Sequence, residues 1–378
     1  MLPSAILLIA LGILCGPLFG QALGFERSSL IEIVPFLAPL TLAFIAFDAG
    51  AHMNIHEVME QSRRAFVLSI LGFLLTASVM GVFMHVVLSL RWAFSFLLSS
   101  SWGGVSTATV VAVSRHLAIN GKTATTLTIS SLIDDVIVLV SALTILNYMT
   151  IHGTGLDDIS LALARNVSIS IFIGVIFGIA WLNILYISGT GGYTYTFTLA
   201  AVLLLYSGTE LLGGTGAIAV FLFGLILGNF RSISKSLKMK VDIERLSRLR
   251  NSVVKFHAEL TFIVVTFFFT FIGLIYVFSG VVDLVIGLVI SLLIHGTRYV
   301  AVKIGTWRSP LSRDLPVIGL IVGKGAAAAT MSTLPLAYGL PNTAILTSIA
   351  LNVILFTNIV SIILPFIASR LQRKRNYV

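Results

Sequence analysis

Two adjacent carboxylates, Asp134 and Asp135, stand near the middle of the apolar run 123 to 149. At 1.5 Å per residue they lie ~16 Å from the start of that run, close to the centre of a bilayer. A charged group costs at least ~2.5 kcal/mol there, and intramembrane carboxylates that persist mark routes for ions or protons. Neighbouring positions differ by ~100° around a helix, so one carboxylate can face an ion path while the other faces a partner helix. The chemistry open to the pair is competition between a proton and a cation for one carboxylate, with the two acids titrating as a coupled unit. The competing reading is a structural pair, each acid hydrogen-bonded to a neighbouring helix.

Other polar residues fall within reach of these acids. Arg298, in the apolar run 281 to 304, carries a long side chain that leans back toward its helix N-terminus and so toward the midplane. It can meet Asp134, or snorkel to an interface about a turn and a half away. Lys324, flanked by glycines, either offsets the dipole of a half-helix C-terminus or pairs directly with Asp134 or Asp48. Ser131 precedes Asp135 by four residues and shares its face, offering a hydroxyl as an oxygen ligand to a hard cation. Ser106 and Thr107 offer hydroxyl or carbonyl oxygens, although back-bonding to a carbonyl one turn earlier competes for each hydroxyl. Ser130, Asp48 and His295 are secondary candidates. Asp48 has a solvated or helix-packing role as its alternative, and His295 that of a satisfied interhelical histidine.

The elements that position these residues are membrane spans. The 378 residues are 57% hydrophobic and 10% charged, far from the ~25% charge of a soluble domain. Hydropathy gives about twelve helices, at 2 to 23, 31 to 52, 63 to 90, 93 to 118, 123 to 149, 160 to 188, 193 to 209, 212 to 229, 257 to 279, 281 to 304, 316 to 338 and 344 to 369. The first run has no basic n-region and is read as a retained span. The lone Cys15 excludes an intrachain disulfide and thiolate metal clusters. The net charge of +9 resides between spans and at the C-terminus, a report on topology and not on nucleic acid. With a cytoplasmic N-terminus, nineteen of the 24 basic residues fall on the cytoplasmic side. Arg27, Arg91 and Arg165 fall opposite, and Arg298 and Lys324 lie within spans, which puts both termini in the cytoplasm of an inner or plasma membrane protein.

The longest polar connection, Arg231 to Lys255, holds eight basic residues among apolar ones at near-helical spacing and is expected to lie on the inner membrane surface. Spans four and eleven are interrupted by small and polar residues, Trp102 to Thr109 in one and Gly323 to Thr330 in the other. Paired broken helices in an inverted repeat expose half-helix ends and free backbone groups at the midplane, which is how a secondary transporter builds an ion site.

Taken in order, these features resemble the monovalent cation/proton antiporter superfamily of the Nha/Nap type. Phe47-Asp-Ala-Gly50 is similar to its span-two signature, Ser106-Thr-Ala108 to its broken-helix motif, and Ser131-Leu-Ile-Asp-Asp135 to its paired-acid motif. Phe221 to Asn229 adds a further match, and Arg298 with Lys324-Gly325 reproduces the spacing from the span-ten basic residue to the second broken helix. The resemblance implies exchange of protons for a monovalent cation, sodium first and potassium as the alternative, with no cofactor and no enzymatic activity. It implies a homodimer in the lipid bilayer working by an elevator motion. Scaffold helices would come from 1–62 and 193–280, the latter including the basic linker 231–255, and transport helices from 63–192 and 281–378. Asp135 would bind the cation or proton, Asp134 would pair with Arg298 when the cation is absent, and Ser131 and Ser106 would be oxygen ligands. The chain departs from the electroneutral branch, which has Asn-Asp at Asp134-Asp135 and Glu at Ser130, and from many paired-acid members, which have lysine at Arg298. Two other readings compete. A ligand-gated potassium efflux system shares the fold but adds a soluble nucleotide-binding domain, whereas this sequence runs about nine residues past its last span. An intramembrane aspartyl protease needs two carboxylates converging on one water, while adjacent acids on a helix diverge.

Overall fold

The computed structural model describes residues 4–23, 30–53, 63–117, 119, 121–150, 156–188, 194–236, 243–276, 280–340 and 343–375. Among them the secondary structure is helical. In hydrocarbon a segment must satisfy its own backbone N–H and C=O groups, and a helix does so within one segment. The order is α1 (Ser4–Leu23), α2 (Val34–His52), α3 (Arg63–Val87), α4 (Trp92–Ser101), α5 (Thr107–His116), α6 (Gly121–Thr150), α7 (Leu156–Ser188) and α8 (Thr194–Leu211). It continues with α9 (Gly216–Gly228), α10 (Phe230–Ser236), α11 (Ile243–Ile275), α12 (Val281–Gly305), a 3-10 helix (Pro310–Asp314), α13 (Leu315–Ile318), α14 (Ala326–Ala337) and α15 (Thr343–Arg375). Seven of the described helices are long and apolar enough to cross a membrane, and shorter apolar helices accompany them. This is an all-α polytopic membrane fold.

Two compact units are present. One comprises residues 1–38, 59–146 and 268–378. Within it α3 packs against α4 and α12, α12 against α15, and α14 against α4 and α15. Leu68, Val105, Val110, Val113, Leu127, Val302 and Ile318 form its continuous apolar core around the first helix break. The other unit comprises residues 39–58 and 147–267. Here α9 packs against α7 and α8. Gly50 of α2 and Gly224 of α9 lie against the backbone of the opposing helix, where any side chain would collide. That contact gives the motifs around Phe47 and Phe221 a physical meaning, since only glycine permits so close a helix crossing.

Three expectations need correction. Residues 243–255 do not belong to a separate surface connection; they are the opening turns of the 33-residue helix α11. The apolar positions at helical spacing bury Leu249 and Val253, and the helix propagates through its charged end because extending a helix costs far less than nucleating one. The second break is shifted upstream, covering 319–325, and Ala326 to Thr330 start α14. Four consecutive alanines are strong helix formers and resume the helix at once. The first break is shorter than expected, 102–106, with Thr107 already the first residue of α5.

Candidate ion site at the crossing of two broken helices

Both breaks belong to the first unit, and backbone groups join them. The Ser106 N–H donates to the Gly323 carbonyl at 2.9 Å, so the strand-like piece after α4 is tied to the one before α14. Gly325 lies against the Ser106 side chain with no room for a Cβ. Asn358 of α15 ties the second break to the first turn of α5. Its Nδ2 donates to the Lys324 carbonyl at 2.8 Å and its Oδ1 accepts from the Thr109 hydroxyl at 3.3 Å. On the other side of the break Ser361 accepts the Val322 N–H at 2.9 Å and lies 3.1 Å from Nε2 of His295. His295 Nδ1 stands 2.8 Å from the Ser291 carbonyl, which requires the proton on that nitrogen and leaves Nε2 to accept from Ser361. His295 is thus a satisfied interhelical residue that braces the second break.

The two acids meet different surroundings. Asp134 is wholly buried and Asp135 only partly so. Oδ2 of Asp134 accepts the Val105 N–H at 3.1 Å, a donor that the first break frees from helical bonding. The Arg298 guanidinium, 3% exposed, stands 3.6 Å from the same oxygen. That is ion-pair distance, longer than a hydrogen bond. Arg298 also donates to the Leu68 carbonyl at 3.3 Å and passes over Gly72, where a Cβ would collide with it. Asp135 accepts from the Thr107 hydroxyl at 3.2 Å. Thr107 opens α5, so this carboxylate sits by the partial positive charge of a half-helix N-terminus.

Lys324, 2% exposed, points its ammonium at the Gly104 carbonyl, just beyond the C-terminal end of α4. Of the two basic residues, Arg298 is therefore the one in ion-pair contact with Asp134, and Lys324 serves a carbonyl left free by the broken helix. Ser131 donates to the Thr128 carbonyl at 2.9 Å. A hydroxyl that has given its proton to a carbonyl still presents lone pairs, so this bond is compatible with ligating a cation. Ser130 shares a 2.9 Å hydroxyl contact with Ser69, which also donates to the Ser130 carbonyl at 2.8 Å and so clamps α3 to α6 beside the acids. Asp48 belongs to the second unit and pairs there with His52 at 3.3 Å. Reasoning from sequence missed Gly72, Ser69, Asn358 and Ser361. An asparagine and a serine three residues apart in an apolar span are a readable signal of interhelical bonding; Gly72 carries none.

What the arrangement can do follows from these contacts. One carboxylate is sealed, neutralised by an arginine and fixed by a backbone N–H. Its neighbour is partly accessible, held by a hydroxyl, and free of a permanent cation among the described residues. Oxygen ligands of this type suit hard cations.

Comparison with known proteins agrees on one family. The family described as "Sodium/hydrogen exchanger, transmembrane" matches residues 1–369. The chain is 24% identical over 371 residues to the K(+)/H(+) antiporter NhaP2 of Shewanella sp. strain ANA-3, covering 95% of this chain and 61% of that protein. It is 26% identical over 284 residues to Na(+)/H(+) antiporter 1 of Methanocaldococcus jannaschii, covering 72% of this chain and 62% of that one. The chain thus spans about three fifths of the length of these curated relatives. Among solved structures, the sodium proton antiporter MjNhaP1 of M. jannaschii at pH 8 superposes with a TM-score of 0.76 at 23% identity, covering 98% of this chain and 92% of that one.

Proposed function

The chain belongs to the sodium/hydrogen exchanger family, and from that premise we propose that it exchanges protons for a monovalent cation at Asp135. The observation that carries the proposal is the asymmetry of the pair: Asp134 is closed off by Arg298 and Val105, while Asp135 remains partly accessible beside Thr107. A carboxylate that holds either a proton or a cation, never both, couples the two flows. Each passage of the site from one side of the membrane to the other then carries one species or the other. Ser131 and Thr107 supply further oxygens, with Ser106 at the backbone link between the breaks. Arg298 pairs with Asp134 when the cation is absent, without occupying the transport carboxylate, and Lys324 holds the broken end of α4 in place.

Sodium is the cation we assign, supported by the archaeal relative named for Na(+)/H(+) exchange. Potassium stands as the second reading because the Shewanella relatives are named K(+)/H(+) antiporters. The distribution of basic residues supports cytoplasmic termini in a plasma membrane, and the family resemblance supports a homodimer. Proteoliposomes holding the purified protein and an internal pH dye test the proposal. Addition of Na+ outside should drive proton release, and choline should not. Because proton and cation compete, apparent cation affinity should weaken by up to about tenfold per pH unit once protons occupy the site. An affinity that stays flat across the working pH range contradicts competition at a carboxylate.

A further inference from the structure

The second unit contains a cavity that the ion site does not use. It has a volume of ≈ 530 Å³ and is framed by the C-terminal ends of α2 and α9 and the early turns of α11. Ligand pockets of small molecules occupy about 300 to 1,000 Å³, so this one is large enough for more than a bare ion. Two arginines, Arg231 and Arg250, line it together with Ser232, Asn251 and His52. Neither guanidinium has a carboxylate within ion-pair distance among the described residues.

Arg250 is held in place. One terminal nitrogen donates to the Ala51 carbonyl at 3.0 Å, the other to Oδ1 of Asn251 at 3.1 Å, and its Nε is buried without a partner among the described residues. Arg231 donates to the Ser247 hydroxyl at 3.2 Å and extends over the Phe230 ring. The wall between them is fixed by Asn229, whose amide donates at 2.8 Å to both the Met53 and Leu225 carbonyls. Helix support accounts for Arg250, which ties down the end of α2. It does not account for a second guanidinium directed at the same cavity, where like charges repel. A multiply charged oxyanion between them removes that repulsion and accepts the guanidinium fork, which fits phosphate oxygens two at a time.

We propose that this pocket binds a phosphate-bearing anion. The ligand is either the headgroup of an anionic phospholipid or a soluble phosphorylated compound; both present the same oxygens to Arg231 and Arg250. The site is separate from cation exchange and stands or falls independently of it.

Two probes distinguish the sources. Inorganic pyrophosphate is titrated against detergent-purified protein with thermal stability and calorimetry as readouts. Native mass spectrometry of protein released from phosphatidylcholine nanodiscs, with and without phosphatidylglycerol, reports retained lipid. Saturable binding of pyrophosphate identifies a soluble ligand, and selective retention of phosphatidylglycerol identifies a headgroup. Arg231→Gln should weaken whichever binding is seen by about tenfold or more, the loss of a charge-assisted hydrogen bond, and Arg231→Lys should fall between. Arg231 is the residue to change because its side-chain hydrogen bond among the described residues is to the Ser247 hydroxyl, whereas Arg250 supports α2. Should Arg231→Gln not yield folded protein, Ser232→Glu places a carboxylate in the same pocket and should abolish binding. Failure of both probes to bind the wild type, or binding equal in wild type and these variants, overturns the proposal.

Discussion

Replacing Arg298 by glutamine separates the roles of the two buried basic residues. In the structure Arg298 is the cation 3.6 Å from Asp134, and both groups are sealed, at 3% and 0% exposure. Removing one partner of such a pair typically costs ~3 to 5 kcal/mol, because the other charge stays buried and uncompensated. Loss of the hydrogen bond to the Leu68 carbonyl adds ~1 kcal/mol. Asp134 can escape most of this penalty by carrying a proton, and its Oδ1 has no hydrogen-bond partner to give up among the described residues. The expected variant is therefore less stable but inserted, with Asp134 neutral throughout the cycle and one fewer charge coupled per turnover. Two protons exchanged for one monovalent cation move one net charge, worth ~2.3 kcal/mol per 100 mV of membrane potential; one proton per cation moves none. Reversal potentials in proteoliposomes read that difference directly, alongside thermal stability of the purified protein. Lys324→Gln is the contrast, because its ammonium serves the Gly104 carbonyl; it should reduce apparent affinity and leave the reversal potential unchanged. If Lys324→Gln alters the stoichiometry while Arg298→Gln changes neither stability nor stoichiometry, the assignment of the two cations must be exchanged.

Gly72→Ala puts a methyl group where the Arg298 guanidinium lies, and overpacking of this kind costs ~1 to 3 kcal/mol; a melting temperature equal to wild type would show that the arginine has room to move aside. Thr107→Val removes the hydroxyl that donates to Asp135 and should weaken apparent cation affinity by about fivefold, one neutral hydrogen bond's worth, with Thr107→Ser restoring it. Equal affinities for the valine and serine variants would remove Thr107 from the site. Asn358→Leu unties the second break from α5, leaving the Lys324 carbonyl and the Thr109 hydroxyl without this partner, and should cost ~1 to 3 kcal/mol of stability together with turnover. Thermal melts and initial rates on one preparation check it, and a stable, fully active variant would refute the bracing role.

Much of this arrangement is legible in the sequence because membranes make polar residues conspicuous. Asp134, Asp135, Arg298 and Lys324 stand out against apolar runs, and the small residues at the two breaks announce where a helix can come apart. Partners are harder to read than positions. Whether Arg298 or Lys324 meets Asp134 depends on how α12 and α14 rotate against α6, and no spacing within either segment encodes that rotation. The limits of the breaks are harder to read because glycine and alanine look alike as small residues yet differ by ~1 kcal/mol in helix propensity, enough to place Gly325 in the break and Ala326 in a helix. The charged opening turns of α11 look like a connection to a hydropathy window, although their apolar positions continue the helical period into the span. Gly72 is invisible for a different reason: its importance lies in an arginine 226 positions away.

The account rests on Asp135 as the group for which proton and cation compete. Asp135→Asn keeps the size of the side chain and its capacity to accept from Thr107, and removes the titrating charge. Reconstituted in proteoliposomes with an internal pH dye, folded Asp135→Asn protein should show no cation-driven proton movement at any pH at which the wild type works, with Asp135→Glu retaining part of it. Proton movement by Asp135→Asn at the wild-type rate on addition of Na+ or K+ would place the exchange site elsewhere.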